Sequence, residues 1–385
     1  MKYKFEDIIF NITEKKKPVE EDKYNYIGLE HLESGNLFIS KWGSDTAPEG
    51  EKIVMKKGDV LFGKRRAYQK KVAISPIDGI FSAHGMVLRP KEDVICKEFL
   101  PFFISSEAFL NEAIRISVGG LSPTVNWKDI KELEFDLPSL AEQKVLAEKL
   151  WAAYEVKQSY LKMIAATQEM IKAQFIEMFK NAEGSNNWTK ITVKEAVNKG
   201  YIARPLDGNH GEKHPKGDDY VSEGVPFIMA QDLKDKKVDF ENCHFITEKQ
   251  AGTLTKGWAK SGDVLLTHKG TIGRIAIVQP SQYKNILLTP QITYYRCLKD
   301  LDKEYLAAYF ATDYFTTQLN SMITGSTRAS VTISQQEGLD LIIPPINVQK
   351  IFVSIVNQAD KSISELRKSI DAIDKVIKSL INENL

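Results

Sequence analysis

The sequence predicts an α+β fold in which two similar α/β domains are each followed by a long helix. Three observations support this prediction. The second half of the chain repeats the order of the first half, two long stretches lack both glycine and proline, and one of these stretches carries an unbroken heptad pattern. We expect the two helices to pair as an antiparallel coiled coil, which would give the chain a pseudo-twofold internal repeat.

Length and composition narrow the class of protein. A chain of 385 residues is too long for one ordinary core, so two domains are expected. The three cysteines are isolated, no apolar run is long enough to span a membrane, and the N-terminus lacks an apolar signal core. We therefore expect a cytoplasmic protein without a membrane partner. Because the net charge is only +1, any nucleic-acid partner has to be inferred from local patches.

The first 140 residues have the pattern of short strands and turns, and they include an amphipathic helix predicted over Glu98–Ile114. The predicted strands are Ile53–Met55, Asp59–Phe62, Lys71–Ile74, Met86–Leu88 and an apolar strand that ends at Leu137. Glycine and proline separate these segments, as they commonly do between strands.

The same order returns later in the chain. Gly58–Leu61 returns as Gly262–Leu265, 204 positions later, and Gln143 returns as Gln349, 206 positions later. A repeat that extends from a turn into both long helices indicates a duplicated unit. The predicted organisation is a first domain over 1–140, a first helix over 141–182, a second domain over 183–346 and a second helix over 347–385. Residues 181–187 are the predicted linker.

The heptad pattern lies in the second helix and predicts a helical partner. Its apolar positions are Phe352, Val356, Ala359, Ile363, Leu366, Ile370, Ile373, Ile377 and Leu380. The first helix has a wider apolar stripe that Lys157 and Gln168 interrupt, which is typical of a helix with more than one neighbour. We therefore expect the seam to face the first helix and another subunit to dock on the stripe. The candidate partner-binding residues are Trp151, Tyr154, Tyr160, Gln143 and Gln349. The alternative is two surface helices of ordinary domains.

The strongest local charge lies between Lys52 and Lys71, and it includes a loop that joins two predicted strands. It contains Lys64, Arg65, Arg66, Tyr68, Gln69 and Lys70. Lysine and arginine bind phosphates, and arginine and glutamine can each make paired hydrogen bonds to base edges. This loop is a candidate DNA contact. The alternative is a solvated surface hairpin.

The matching loop of the second half, Leu266–Arg274, has less charge and two glycines. A third pair of loops, beginning at Gly119 and Gly325, is rich in serine and threonine. His84 and Gln291 are a further matched pair within strand-like stretches. The remaining DNA-binding candidates are His84, Ser122, Thr124, Gln231, Thr267, His268, Lys269, Thr271, Arg274, Gln291, Ser326, Thr327, Arg328 and Ser330. The alternatives are ordinary glycine turns, helix capping and satisfied core or edge residues.

Sequence motifs for catalysis are missing. The Ile342–Ile346 segment has the two prolines of an amino-adenine methyltransferase turn but neither its polar nor its aromatic residue. The Gly-Lys-Ser/Thr end of a P-loop is also absent. His210 and His214, with Cys243–His244, match no standard zinc module in their spacing. We therefore expect no catalytic residue, no metal and no cofactor in this chain.

At this level of detail the sequence resembles the specificity subunit of type I restriction–modification systems, over essentially its whole length. The resemblance rests on the duplicated unit and on three phrases that are typical of the family. These are Gly262–Leu266 leading into Gly270–Ala276, Gly325–Arg328, and Leu137-Pro138 followed by Glu142-Gln143. The second copy departs from the last phrase, because Val348 stands where the first copy has glutamate.

The resemblance implies two target recognition domains, each reading one half of a split sequence in double-stranded DNA. It also implies two helices that fix the unread spacer and hold two modification (methyltransferase) subunits, to which restriction subunits attach. The methyl donor, ATP and Mg²⁺ would belong to those partners. Two alternatives stay open: a coiled-coil adaptor that does not read DNA, and the equivalent targeting subunit of a related DNA-modification defence system.

Overall fold

A computed structural model of the chain describes residues 1–180, 188–211, 214–324 and 329–385. The chain divides into two compact units. Unit 1 comprises Met1–Lys162 and Leu366–Leu385, and unit 2 comprises Met163–Glu365. Each unit contains one domain of mixed helix and sheet together with a part of both long helices. The α+β fold class predicted from the sequence is confirmed.

Unit 1 consists of ten short strands and four short helices, followed by the first long helix. The strands are β1 (Lys2–Lys4), β2 (Ile9–Ile12), β3 (Lys15–Lys16), β4 (Tyr26–Ile27), β5 (Lys52–Met55), β6 (Val60–Phe62), β7 (Val72–Ile74), β8 (Gly79–Phe81), β9 (Met86–Pro90) and β10 (Glu134–Asp136). The helices are α1 (Phe5–Ile8), α2 (Leu100–Ser105), α3 (Glu107–Arg115), α4 (Trp127–Ile130) and α5 (Leu140–Phe175), the last of which ends in unit 2.

Unit 2 has the same plan with extra strands. Its strands are β11 (Thr189–Thr192), β12 (Leu206–Asp207), β13 (Val225–Ile228), β14 (Leu233–Lys234), β15 (Lys237–Val238), β16 (His244–Ile246), β17 (Trp258–Ala259), β18 (Val264–Thr267), β19 (Ile275–Ile277), β20 (Ile286–Leu288), β21 (Ile292–Tyr295) and β22 (Asp340–Ile343). Its helices are α6 (Val193–Asn198), α7 (Glu248–Ala251), α8 (Lys303–Phe310), α9 (Asp313–Ser321), α10 (Ile333–Gln336) and α11 (Ile346–Asn382), the last of which ends in unit 1.

Sheet topology shows that the sequence repeat is also a structural repeat. In unit 1 the strand orders are β1-β10, β2-β9-β6-β7 and β3-β5-β8-β4. In unit 2 they are β11-β22, β12-β21-β18-β19-β15-β14 and β16-β13-β20-β17. The matching strands also keep their directions, since β8 pairs parallel with β4 and antiparallel with β5, as β20 does with β13 and β17.

The repeated Gly-Asp-Val-Leu phrase is a structural element. Its glycine has a positive φ in both units, near +92° at Gly58 and +91° at Gly262, which only glycine adopts readily. The buried aspartate that follows accepts two hydrogen bonds from one arginine. Asp263 accepts from Arg296 at 2.7 and 2.8 Å, and Asp59 accepts from Arg89 at 2.6 and 2.9 Å. The phrase therefore stabilises a turn and a strand pair.

The heptad seam of α11 is buried along most of its length, as predicted. In unit 2 its early residue Phe352 packs on Phe175 and Phe179 near the end of the first long helical stretch, with ring centroids 5.9 and 5.3 Å apart. In unit 1 Asp374, which lies beside the seam late in α11, accepts a hydrogen bond from Lys157 at 2.6 Å. This order is antiparallel. It also explains why a lysine interrupts the stripe of α5, since Lys157 pairs with the partner helix.

One element differs from the prediction. The stretch Glu98–Ile114 is not a single helix, because Ser106 separates α2 from α3. The Ser106 hydroxyl is buried and accepts a hydrogen bond from the Phe109 amide at 3.1 Å, so it caps α3. Among the described residues, no helix is long and apolar enough to cross a bilayer.

Candidate nucleic-acid interface

The basic loop of unit 1 has a constrained backbone. It lies between β6 and β7, and its ends are joined by a hydrogen bond from the Gly63 amide to the Lys71 carbonyl at 2.9 Å. Arg66 and Lys70 both adopt left-handed conformations, with φ of 56° and 51°, on either side of a 3₁₀ turn. Non-glycine residues in this region cost free energy and occur preferentially at functional sites. The buried Ala67 between them attaches the turn to the core.

Backbone hydrogen bonds connect this loop to the serine- and threonine-containing loop before α4. The Arg66 amide donates to the Pro123 carbonyl at 2.6 Å, and the Val125 amide donates to the Lys64 carbonyl at 3.0 Å. Arg65 and Thr124 form an isolated antiparallel bridge. Two segments that are about 60 residues apart in sequence therefore form one surface.

Side chains from three segments meet on that surface. The Arg66 Nε donates to the Ser122 hydroxyl at 3.2 Å, and the Arg65 Nη1 lies 3.2 Å from His84 Nε2. A guanidinium has only donors, so a hydrogen bond between these two atoms requires an unprotonated His84 Nε2 as the acceptor. His84 was predicted within a strand, which is wrong: it lies on the turn between β8 and β9 and is exposed. This position leaves its ring available to a ligand.

Electrostatic effects on this surface indicate a concentration of positive charge. Burial and the neighbouring Lys15 lower the pKa of Lys64. Burial, followed by Arg65 and Lys64, lowers the pKa of His84. Mutual repulsion of this kind is relieved by a polyanion such as a phosphate backbone. We call Lys64, Arg65 and Arg66 the cationic group.

The other candidates of the basic loop are less uniform. Tyr68 is 52% exposed on the 3₁₀ turn, and Gln69 beside it is half-buried. Lys70 lines a cleft of about 310 Å³ together with Glu107 and Lys378. The structure therefore does not join Lys70 to the cationic group.

In unit 2 the glycine-containing loop is closed by a residue that was predicted to bind DNA. Thr267 is fully buried, and its hydroxyl accepts a hydrogen bond from the Arg274 amide at 2.9 Å. The Thr267 amide and carbonyl bond to Arg274 and Gly273. This prediction is wrong for Thr267, because its polar groups are satisfied within the loop and it has no surface to offer to a ligand.

His268 is also buried, with 4% of its surface exposed. Its Nδ1 donates to the Val331 carbonyl at 2.9 Å, and burial lowers the pKa of the ring. The prediction of a direct DNA contact is wrong here as well. His268 instead positions the loop, because its amide donates to the Gln291 carbonyl and its carbonyl accepts from the Val331 amide.

These hydrogen bonds reproduce the pattern of unit 1. The Gly270 amide donates to the Ala329 carbonyl at 3.0 Å, as Arg66 does to Pro123, and Lys269 bridges Ser330, as Arg65 bridges Thr124. Gln291 and His84 each provide a carbonyl to the loop, but the donor is the His268 amide in unit 2 and the Arg65 amide, one repeat position further on, in unit 1. Gln291 lies on the turn before β21 and is exposed, so the prediction that places it within a strand is also wrong.

The remaining candidates of unit 2 are distributed around this surface. Thr271 and Arg274 are exposed on the loop, and the Arg274 guanidinium donates to the Ala230 carbonyl at 3.1 Å, next to the exposed Gln231. Ser326, Thr327 and Arg328 lie outside the described residues. Thr332, considered in the sequence as a capping residue, forms a capping box at the start of α10.

Two predicted partner-binding residues have a structural role instead. Gln143 is fully buried: its Oε1 accepts from the Cys96 amide, and its Nε2 donates to the Val94 and Pro138 carbonyls, all within 3.0 Å. Gln349 makes the corresponding three hydrogen bonds in unit 2, at 2.7–2.9 Å. Each glutamine therefore fixes the start of a long helix to its own domain, and neither is available to another subunit.

Tyr154 is likewise buried. Its hydroxyl donates to Asn36 Oδ1 at 2.7 Å and accepts from the Leu37 amide at 2.6 Å, so the prediction that it binds a partner is wrong. Trp151 is half-buried and donates from Nε1 to the Glu98 carbonyl at 2.9 Å. One face of Trp151 stacks on the exposed Phe38. Tyr160 is half-buried, which leaves part of its surface accessible.

The structure also shows features that the sequence did not single out. Leu121 is 97% exposed next to Ser122, and the run Gly-Gly-Leu-Ser-Pro is the sequence signal that could have pointed to this exposed loop.

In unit 2 the buried Asp207 accepts from Lys256 at 2.7 Å and lies 2.6 Å from His210 Nε2. His210 is thus engaged by a carboxylate. In the described part of the chain no group of three or more potential ligands is arranged around a metal position.

Comparison with known proteins gives a consistent result. The model of the type I restriction modification DNA specificity domain matches residues 2–160 and 186–375. The chain is 23% identical over 369 residues to the type I restriction enzyme EcoKI specificity subunit of Escherichia coli (strain K12), covering 89% of this chain and 75% of the relative. It is 23% identical over 399 residues to the MjaVIII specificity subunit of Methanocaldococcus jannaschii, covering 98% and 89%.

Solved structures show the same fold. A chain from a structure of a type I R-M system, described in terms of complex assembly and conformational transition, matches with a TM-score of 0.60 at 17% identity, covering 100% of this chain and 97% of the other. The S subunit of a type I restriction-modification system from M. genitalium matches with a TM-score of 0.53 at 13% identity, covering 99% and 94%.

Proposed function

The chain belongs to the family of type I restriction modification DNA specificity domains, and from this premise we propose that it reads a bipartite DNA target on behalf of separate methyltransferase subunits. Residues 1–140 and 183–346 would be the two target recognition domains. The family is non-catalytic, and methylation and cleavage belong to other subunits of the complex. A protein with this function would work in the cytoplasm.

The observation that carries the proposal is the convergence of the cationic group with His84 and Ser122 on one surface of unit 1. Phosphate contacts from lysine and arginine fix a protein on the duplex, and arginine can grip guanine O6 and N7 with two hydrogen bonds. The exposed Arg66 is held by its backbone in a conformation that costs free energy. This arrangement suits a preformed site that contacts both the phosphates and the base edges of DNA.

The second recognition surface has the same backbone frame and different chemistry. Where unit 1 has three cations, unit 2 has the buried His268, then Lys269 and Gly270. Gly270 has a φ of 76°, and the exposed Thr271 and Gln291 lie beside it. A backbone with glycine can approach a ligand closely, while a hydroxyl and an amide can bond to bases or phosphates. The two units would therefore read different half-sites.

The long helices would set the distance between the half-sites. At 1.5 Å per residue, the 36 residues of α5 correspond to about 54 Å, and the 37 residues of α11 to about 56 Å. Half-sites one helical turn apart are separated by roughly 34 Å. Each helix is therefore longer than the distance between two such half-sites.

The outer faces of the helices would hold two methyltransferase subunits, and restriction subunits would attach through these. In unit 1, Val145 and Val156 are both exposed and lie 11 residues apart, which places them on one face of α5. In unit 2, the exposed Met163 and Met170 lie seven residues apart on the same helix. Trp151 and Tyr160 stay candidates for this docking. Exposed apolar residues on a helix are typical of an interface with another protein.

Methylation mapping tests the function. The methylated bases of the host genome are sequenced with the gene present, deleted and restored on a plasmid. We expect a bipartite motif with an unread spacer that is methylated only when the gene is present. An unchanged set of methylated motifs after deletion would refute the proposal.

A further inference from the structure

The loop that joins β-bridge residues Val118 and Thr124 carries an exposed leucine at its tip. The Val118 and Thr124 amides donate to each other's carbonyls at 3.1 and 2.9 Å, so a single antiparallel bridge closes a short loop. Gly119 has a φ of +117°, which requires glycine, and a Cβ on Gly120 would meet open space. Leu121 follows these two glycines and is 97% exposed, and Val118 at the base is 58% exposed.

This leucine lies directly beside the cationic group. The next residue, Ser122, accepts a hydrogen bond from the Arg66 side chain, and Pro123 accepts one from the Arg66 amide. A single exposed leucine is unremarkable on an ordinary protein surface. Here, however, the leucine projects from the surface that binds DNA in the function proposed above, and its loop is fixed to that surface by hydrogen bonds.

We propose that Leu121 contacts the C5-methyl group of a thymine in the half-site that unit 1 reads, an inference that rests on the proposed function. The thymine methyl is the apolar group displayed on the floor of the major groove. The same groove displays guanine O6 and N7, which match the donors of Arg65 and Arg66. Leucine and arginine side by side would distinguish a thymine from a neighbouring guanine.

The size of the effect follows from the area of one methyl group. Burying one such carbon contributes about 0.8 kcal/mol, which corresponds to roughly a fourfold change in affinity. Replacing that thymine by uracil removes the methyl and leaves the hydrogen-bonding edge unchanged. Uracil is therefore a selective probe of the contact.

The experiment combines protein and DNA substitutions. The full chain is assembled with its methyltransferase subunits, and its affinity is measured for the motif found by methylation mapping. The target is compared with duplexes in which the thymines of each half-site are replaced by uracil, one at a time. We expect one thymine in the unit 1 half-site whose replacement weakens wild-type binding about fourfold. For Leu121→Ala that ratio should fall to about one, while Val118→Ala, the matched control, should keep the wild-type ratio.

The outcomes separate this inference from the function on which it rests. If the wild-type complex fails to distinguish its motif from scrambled DNA, the proposed function is wrong. If it distinguishes the motif but responds to no uracil replacement, only the role of Leu121 is wrong. If Leu121→Ala binds thymine and uracil targets with the wild-type ratio, or weakens both equally without losing that ratio, the thymine contact is likewise overturned.

Discussion

Replacing Gln349 by alanine is the clearest test of its reassignment from a docking residue to an internal clamp. The side chain is fully buried, and it accepts from the Asp302 amide while donating to the Asp300 and Pro344 carbonyls. Alanine would leave these three backbone groups without their partner at the start of α11. We therefore expect a loss of stability in unit 2 and no direct loss of subunit docking.

The expected loss of stability follows from how deeply each of the three hydrogen bonds is buried. The bond to the Pro344 carbonyl is buried, and its loss should cost about 1–3 kcal/mol as an unsatisfied polar group. The other two bonds are partly buried, so water can replace some of their contribution, roughly 0.5–1 kcal/mol each. The expected total is about 2–5 kcal/mol. At a typical slope of 1–3 kcal/mol per molar urea, the unfolding midpoint should fall by roughly 0.7 M or more.

The assay is urea unfolding, combined with hydrogen exchange over the first turns of α11. Gln358→Ala is the matched control, because Gln358 is exposed on the same helix. We expect the control to stay within about 0.5 kcal/mol of the wild type. Suppose instead that Gln349→Ala unfolds like the control yet fails to bind methyltransferase subunits at low temperature. The assignment of Gln349 as an internal clamp would then be wrong, and the docking role predicted from the sequence would be right.

Three further predictions address charge and pH. Replacing the three residues of the cationic group by alanine should reduce the slope of log affinity against log salt concentration by up to about 2.7, at about 0.9 per phosphate contact. The control Lys97→Ala, at an exposed position, should leave this slope unchanged. An unaltered slope in the triple variant would remove the loop from the DNA interface. Because burial lowers the pKa of His268 below its usual 6.5, the unfolded chain takes up that proton first, so unit 2 should lose stability as the pH falls below about 6.5. In His268→Gln this loss should be smaller in urea unfolding between pH 5 and 8, and an identical pH dependence would contradict the argument. Asp263→Asn removes the negative charge and one of the two buried oxygens that accept from Arg296, and should cost about 3 kcal/mol. A loss below about 1 kcal/mol would show that the pair contributes little.

Much of the fold could be predicted from the sequence because it is encoded locally. The repeat needs only the order of residues, and the long helices follow from the absence of glycine and proline and from the seam at Phe352 and the positions after it. Short strands such as β5 and β6 follow from apolar runs between turns. Ser106 is the instructive exception, since one serine divides a continuous amphipathic pattern by capping the second segment.

The candidate site was less predictable because its chemistry depends on tertiary contacts. Nothing in the local pattern shows that His268 is buried under the Val331 carbonyl, or that Gln143 turns inward to three backbone groups. Polar residues near a repeat motif have the same appearance in sequence whether they contact a ligand or hold a loop. Convergence of Arg66 with Ser122 was likewise invisible, because it depends on a left-handed residue docking on a distant loop.

The central claim is that each unit reads its own half of the target, and one set of affinities tests it most directly. The complex with methyltransferase subunits is measured on the full motif and on duplexes with the first or the second half-site scrambled. The wild type and the variant without the cationic group are compared. We expect both scrambled targets to weaken wild-type binding, and the variant to lose its response to one of them while keeping its response to the other. Equal loss of both responses, or of neither, would contradict this claim.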